Sequence, residues 1–292
     1  MNKLEGIYTA LVTPVYPLGN INYDVLDYLI EEQISNLVSG IVFGGTTGEG
    51  MLIDNIEMYY QHSIKIVEER TKVILTLTKV KKYEIEKQIE FLNRLNYDYL
   101  LVPTPAYLTT SQDGVYKYYE YISILSNKPI IIYYNPTRSN QYITEACFKK
   151  LFLLDNVIGI KDASGSMITY KEIMQVINNK SYLLGNDDLY LKGLLLGING
   201  IISTITNVFP SLMLEIKEYM SYGEVEKAKI LFNKFMILFN VLKEEPSPIG
   251  LKYLLSCKGY NVGDPMFPLV RVSDVTKERI NKAYSEVLKW KY

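Results

Sequence analysis

The 292-residue chain has little of what builds metal and thiol chemistry, since it contains two cysteines, one histidine and one tryptophan. Cys147 and Cys257 are too few for a disulfide framework or a thiolate metal cluster, and they fit a reducing, cytoplasmic setting. A single histidine, His62, excludes a His-rich metal site and leaves little basis for a Ser-His-Asp triad. Acid–base chemistry must therefore depend on Tyr, Lys, Asp or Glu side chains.

An excess of charge of one sign and long apolar runs are also missing. The 31 basic and 32 acidic side chains give a formal net charge of −1, which supplies no field for binding nucleic acid. Every apolar stretch is interrupted well before the roughly 20 residues that span a bilayer, so we expect no membrane partner. The apolar stretch at the N-terminus ends at Pro14 and is too short for a signal peptide. These features predict a soluble protein.

Eight short apolar runs recur along the chain and alternate with polar segments of helical period. Runs without polar alternation are typical of strands that are covered on both faces, as in a parallel sheet. Neither a G-x-G-x-x-G motif nor a Walker motif is present, which disfavours an open doubly wound sheet. The pattern therefore predicts an α/β fold of the (β/α)8 TIM-barrel type. The runs lie at 6–14, 40–48, 72–78, 97–105, 129–136, 157–164, 181–188 and 200–206.

From about residue 210 onward, the pattern is helical only. This makes more helix than the eighth barrel unit requires, and no flexible linker precedes it. We therefore expect a catalytic barrel over residues 1–223 and an appended C-terminal helical segment over residues 224–292.

Lys161 is the most informative residue at the predicted carboxyl ends of the strands, where barrel active sites lie. It ends the run VIGIK, whose other side chains are apolar or absent. Desolvation disfavours a charged amine and can leave a neutral nucleophile for a carbonyl group. Position alone is equally compatible with a lysine that extends to solvent. Lys79 is a weaker rival, because nearby basic residues predict a solvated helix start there.

Three other features lie at predicted strand ends. The segment 44–50, GGTTGEG, offers glycines for close backbone approach, with Thr46 and Thr47 hydroxyls that could bind a carboxylate. Tyr133, in IIIYYNPTR at 130–138, could pass a proton. For Asp187 and Asp188 we predict a cap of the helix that follows. Each feature alone also fits an ordinary turn, a core tyrosine or a surface residue.

Taken in order, these motifs resemble the dihydrodipicolinate synthase and N-acetylneuraminate lyase family of class I pyruvate-dependent aldolases, over essentially the full chain. The resemblance rests on seven segments that match in sequence and order. They are GTTGE at 45–49, P-x-Y at 105–107 with SQDG at 111–114, Tyr133 three residues before Pro136, GIKDASG at 159–165, GNDD at 185–188, GIIS at 200–203 and EPSPIGLK at 245–252.

The resemblance implies a Schiff base between Lys161 and the keto carbon of pyruvate. Thr47 would hold the pyruvate carboxylate, and Ile202 would line the pyruvate pocket. The iminium itself is the electron sink for enamine formation, so the resemblance implies no metal and no organic cofactor. These assignments agree with the low content of cysteine and histidine.

The resemblance also implies a proton relay and an oligomer. Tyr133 would relay protons through Thr46 to Tyr107, and in the family this last tyrosine extends into the site of a neighbouring subunit. A homodimer or homotetramer is therefore expected.

Arg138 bears on the second substrate. In the family's synthases an arginine at this position binds the carboxylate of aspartate semialdehyde, which suits the bidentate geometry of a guanidinium. The implied reaction is condensation of pyruvate with aspartate semialdehyde to 4-hydroxy-tetrahydrodipicolinate, in lysine and diaminopimelate biosynthesis. Two alternatives are cleavage of a 2-keto-3-deoxy sugar acid or N-acetylneuraminate, and binding of keto acids without turnover.

Many synthases of this family are inhibited by lysine bound between paired subunits. Such a site needs an amide, a hydroxyl and an aromatic wall, yet this chain has Val80, Gly50 and Ala106 at the matching positions. The sequence therefore predicts an enzyme that is insensitive to lysine.

Overall fold

A computed structural model describes residues 4–289, in which eight parallel strands close into a barrel in chain order. The first and last strands pair with each other, with Tyr8 opposite Ile202. Each predicted apolar run contains one strand, and the predicted (β/α)8 barrel is confirmed. The strands are β1 Gly6–Ala10, β2 Gly40–Phe43, β3 Lys72–Thr76, β4 Tyr99–Pro103, β5 Ile130–Tyr134, β6 Val157–Asp162, β7 Ser181–Leu184 and β8 Gly200–Ser203.

Two hydrophobic clusters explain why the strands read as continuous apolar runs. Alternate strand residues fill the barrel interior, among them Val42, Ile74, Leu101, Ile131 and Ile202. The strand residues between them pack outward against the helices in a second, larger cluster. Because both faces of each strand are covered, the sequence shows no polar alternation.

Twelve α-helices lie within the described residues. Several begin at a side chain that caps the backbone; Asn22, Ser111 and Ser166, for example, accept hydrogen bonds from amides three residues ahead. The helices are α1 Tyr23–Ser35, α2 Ile56–Val67, α3 Lys82–Leu92, α4 Gln112–Leu125, α5 Pro136–Ser139, α6 Glu145–Leu151, α7 Met167–Val176, α8 Tyr190–Leu195, α9 Pro210–Ser221, α10 Val225–Leu242, α11 Ile249–Cys257 and α12 Asp274–Leu288.

The C-terminal helices share a core with the barrel. Phe235 of α10 packs edge-on against Phe209, which precedes α9, with ring centroids 5.2 Å apart. The boundary predicted after residue 223 falls in the short connection between α9 and α10, and a division there remains a prediction. None of the helices in the range 4–289 is both long and apolar enough to cross a membrane.

Candidate active site

Lys161 lies at the carboxyl end of β6, beside Tyr133 of β5 in the strand register. Its Nζ is 4.5 Å from the centre of the Tyr133 ring, and the residue is only 8% exposed. Burial lowers the pKa of Lys161, although the phenol of Tyr133 and the carboxylate of Asp187 act in the opposite direction. Burial therefore eases deprotonation of this amine, which lies at the wall of a cavity of about 630 Å³ that Lys161 and Tyr133 both line.

The Tyr133 hydroxyl is hydrogen-bonded to two side chains in this cavity. It lies 3.3 Å from Thr46 Oγ1, and Asn135 Nδ2 donates to it over 3.3 Å. Burial acts to raise the pKa of Tyr133, but the Lys161 charge and these two hydrogen bonds outweigh it, and the pKa is lowered. A phenol held in this way beside an amine is placed to give and take a proton.

The turn after β2 brings Thr46 and Thr47 to the cavity. The turn is tight: a Cβ at Gly50 would lie 2.0 Å from the carbonyl oxygen of Gly44, so a side chain at position 50 would force the backbone apart. Glu49 adopts the left-handed conformation there, with φ of 53°. Thr47 Oγ1 lies 3.4 Å from Ser247 Oγ, which belongs to the connection between α10 and α11.

Arg138 lines the same cavity from the exposed end of α5. The side chain of Asn135 caps α5 by accepting from the Arg138 amide over 3.2 Å. One guanidinium nitrogen of Arg138 donates to the carbonyl oxygen of Ser247 over 3.3 Å. The remaining guanidinium N–H groups leave capacity to bind a carboxylate.

Two lining residues, Asn135 and Ser247, were not singled out from the sequence. Asn135 has a local signal, because an Asn before Pro136 at a strand end is a common helix cap. Ser247 belongs to EPSPIGLK, but its partners Thr47 and Arg138 are 200 and 109 residues away. Only the fold reveals that contact.

The prediction that Asp187 caps the following helix is wrong. Its carboxylate accepts from the amides of Thr204 and Ile205, over 3.1 and 3.0 Å, and from the Thr204 hydroxyl. It thereby caps the 3₁₀ turn Ile205–Asn207 after β8, because β7 and β8 pair side by side and their following loops meet. Asp188 instead pairs with Lys243 of the C-terminal segment.

Three residues considered from the sequence do not line this cavity within a single copy of the chain: Ile202, Tyr107 and Lys79. Ile202 is fully buried in the barrel interior, in the same cluster as Tyr133. Tyr107 is 92% exposed in the connection after β4, and Lys79 is also exposed. Within residues 4–289, no group of three or more His, Cys, Asp or Glu side chains could hold a metal ion.

Residues 3–287 match the model of the dihydrodipicolinate synthetase family. The chain belongs to this family. Among curated family relatives, the 4-hydroxy-tetrahydrodipicolinate synthase of Clostridium perfringens (strain SM101) is 33% identical over 274 residues, covering 92% of this chain and 94% of the relative. The synthase of Caldicellulosiruptor saccharolyticus is 32% identical over 289 residues, covering 97% of both chains.

Solved structures of the family agree with the fold. The 4-hydroxy-tetrahydrodipicolinate synthase of Methylacidiphilum fumariolicum SolV superposes with a TM-score of 0.93 at 27% identity, covering 98% of this chain and 97% of that one. A monomeric dihydrodipicolinate synthase variant superposes with a TM-score of 0.92 at 27% identity, covering 97% of both chains. The family resemblance in the motifs therefore extends to the whole chain.

Proposed function

We propose that the chain condenses pyruvate with aspartate semialdehyde to 4-hydroxy-tetrahydrodipicolinate, a step of lysine and diaminopimelate biosynthesis. The observation that carries this proposal is the buried Lys161 amine beside the hydrogen-bonded phenol of Tyr133 in one cavity. The family and the named activity of its relatives support the same reaction. The proposed chemistry uses no metal ion and no organic cofactor.

In the first step, Lys161 Nζ attacks C2 of pyruvate, and the C2 oxygen leaves as water. That oxygen needs a proton, which the Tyr133 phenol supplies with Thr46 as its hydrogen-bonded partner. The resulting cationic imine withdraws electrons, so C3 gives a proton to the Tyr133 oxygen, which had passed its own to the departing water, and C3 becomes a nucleophilic enamine carbon. In this proposal Thr47 holds the pyruvate carboxylate, and Ile202, which shares the interior cluster with Tyr133, lies beneath the pyruvate.

In the second step, C3 of the enamine bonds to the aldehyde carbon of aspartate semialdehyde, and the aldehyde oxygen takes a proton from the Tyr133 phenol to become the hydroxyl of the product. The amino group of that substrate then attacks C2 and displaces the Lys161 amine, which closes the ring and frees the enzyme. Arg138 binds the carboxylate of this substrate, because its guanidinium lines the mouth of the cavity with unused N–H groups.

We further infer that Tyr107 completes the relay of a second copy of the chain, in a homodimer or homotetramer. Its 92% exposure suits a side chain that has its partners on another subunit. Sedimentation should then show no fully active monomer. We also infer a cytoplasmic location, which both free cysteines permit.

A substrate panel tests the proposal. Purified protein should consume pyruvate only when aspartate semialdehyde is present, and it should release no pyruvate from N-acetylneuraminate or 2-keto-3-deoxygluconate. Pyruvate release from a sugar acid without condensation would assign the chain to the sugar-acid lyases instead. Binding of pyruvate without turnover of any substrate would support a keto-acid-binding protein.

A further inference from the structure

A buried ion pair, separate from the cavity lining of Lys161, joins the turn after β2 to the C-terminal segment. Glu49 Oε2 lies 2.5 Å from Lys252 Nζ, and the two side chains are 0% and 1% exposed. A fully buried pair is weak support for stability, because the cost of removing two charges from water offsets their attraction. The contacts of the two side chains point to a positional role instead.

Glu49 is held firmly at the turn. Its amide donates to the carbonyl oxygen of Thr46 over 3.1 Å, so it moves with the two threonines that line the cavity. Its second carboxylate oxygen accepts from the amide of Met266 over 2.5 Å. Lys252 donates in addition to the carbonyl oxygen of Asp264 over 3.1 Å. The pair thus fixes the turn both to α11 and to residues 264–266 of the connection between α11 and α12.

Ser247 lies two residues before α11 and lines the cavity. The amide of Lys252 donates to the carbonyl oxygen of Pro248 over 2.9 Å, which couples Lys252 to the start of α11 beside Ser247. Ser247 contacts Thr47 through its hydroxyl and Arg138 through its carbonyl oxygen. These contacts form a closed ring. It runs from Thr47 along the turn to Glu49, across the ion pair to Lys252, and through the start of α11 and Ser247 back to Thr47.

We propose that Glu49 and Lys252 are positioning residues, which hold Thr47 and Arg138 at the distance that two substrate carboxylates require. The inference rests on the proposed function, because it takes Thr47 and Arg138 as the carboxylate ligands. Small displacements of such ligands weaken binding strongly. Loss of the pair should therefore raise the pyruvate concentration that the enzyme needs, while the Lys161 amine keeps its reactivity.

The decisive variant is the double substitution Glu49→Gln/Lys252→Met. It removes both charges together, so that no unpaired charge is left buried, and it preserves side-chain volume. The matched control is Glu32→Gln/Lys258→Met, at an ion pair of 2.7 Å that joins α11 to α1 outside the cavity lining. For each protein, borohydride trapping of pyruvate gives the concentration for half-maximal labelling of Lys161, and thermal unfolding gives Tm.

A positioning role predicts that the Glu49/Lys252 variant needs at least tenfold more pyruvate for half-maximal trapping, with complete trapping at saturation. The control variant should change by less than twofold, even where its Tm falls as far. A native half-saturation value in the folded Glu49/Lys252 variant would overturn the inference.

If that variant does not fold, Glu49→Asp provides the test, since it keeps the charge but withdraws the carboxylate by one methylene. It should raise the half-saturating concentration severalfold, and a native value would overturn the inference. Absence of trapping in the native protein would overturn the proposed function, and this inference with it. Native trapping with unchanged variants would overturn the positioning role alone.

Discussion

Replacing Tyr133 by Phe removes one oxygen atom from the centre of the site and leaves its packing intact. The ring stays in the interior cluster and beside Lys161 Nζ. The lost oxygen leaves Thr46 Oγ1 and Asn135 Nδ2 without this partner. Two lost neutral hydrogen bonds cost about 1–3 kcal/mol, within the roughly 5–15 kcal/mol that stabilises a folded domain. We therefore expect a folded variant.

The loss in catalysis should be much larger than the loss in stability. Acid–base catalysis by a placed group contributes roughly 100- to 10,000-fold in rate, so kcat of Tyr133→Phe should fall within that range. Pyruvate should still be trapped on Lys161, only more slowly, because the amine and the carboxylate ligands remain. Steady-state kinetics with both substrates and mass spectrometry of the trapped adduct measure these two quantities.

Tyr134→Phe is the matched control for this prediction. Tyr134 is the next residue of β5, but it packs outward, edge-on to Phe148 with ring centroids 5.2 Å apart. The same change in composition should there leave kcat within about twofold. A Tyr133→Phe enzyme with kcat within threefold of native would refute the relay. Complete loss of pyruvate trapping would show that the Tyr133 hydroxyl is needed to maintain the pyruvate pocket and not only to transfer a proton.

Three further predictions concern binding, pH and regulation. Arg138→Leu should raise the KM for aspartate semialdehyde about 10- to 100-fold, since a hydrogen bond to a charged group contributes about 1.5–3 kcal/mol. The KM for pyruvate should stay unchanged, and an equal rise in it would contradict the assignment of Arg138 to the second substrate. The rate of pyruvate trapping should rise with pH as Lys161 loses its proton. Because burial lowers the pKa of Lys161, the rate should level off below pH 10.5, the ordinary pKa of lysine. A rate that levels off only above pH 10.5 would contradict this effect of burial. Millimolar lysine should not inhibit at saturating pyruvate, because apolar Val80, 51% exposed, stands with Gly50 and Ala106 at the positions that match the lysine site; inhibition below millimolar lysine would show that the positions are matched wrongly.

The barrel could be predicted from the sequence because each strand is covered on both faces. A strand buried in this way appears in the sequence as a continuous apolar run. The sequence also pointed to Lys161, since a lysine that ends such a run lies where barrel active sites lie. Asp187 was misassigned because sequence proximity favours a cap of the next helix, whereas its amide partners come from the neighbouring strand's loop, 17 and 18 residues on.

The contact between Thr47 and Ser247 and the Glu49–Lys252 ion pair could not be predicted from the sequence, for the same reason. They connect residues about 200 positions apart, and no local pattern encodes such a distance. Tyr107 is a further case, because it is 92% exposed and its place in the relay of a second copy stays a prediction.

Identification of the residue that pyruvate labels tests the central claim most directly. The protein is incubated with pyruvate, reduced with borohydride and digested, and the labelled peptide is sequenced by mass spectrometry, with Lys161→Ala as the comparison. We expect one adduct, the reduced imine of pyruvate, on Lys161 and none on the variant. An adduct on Lys79, or an unlabelled native protein, would contradict it.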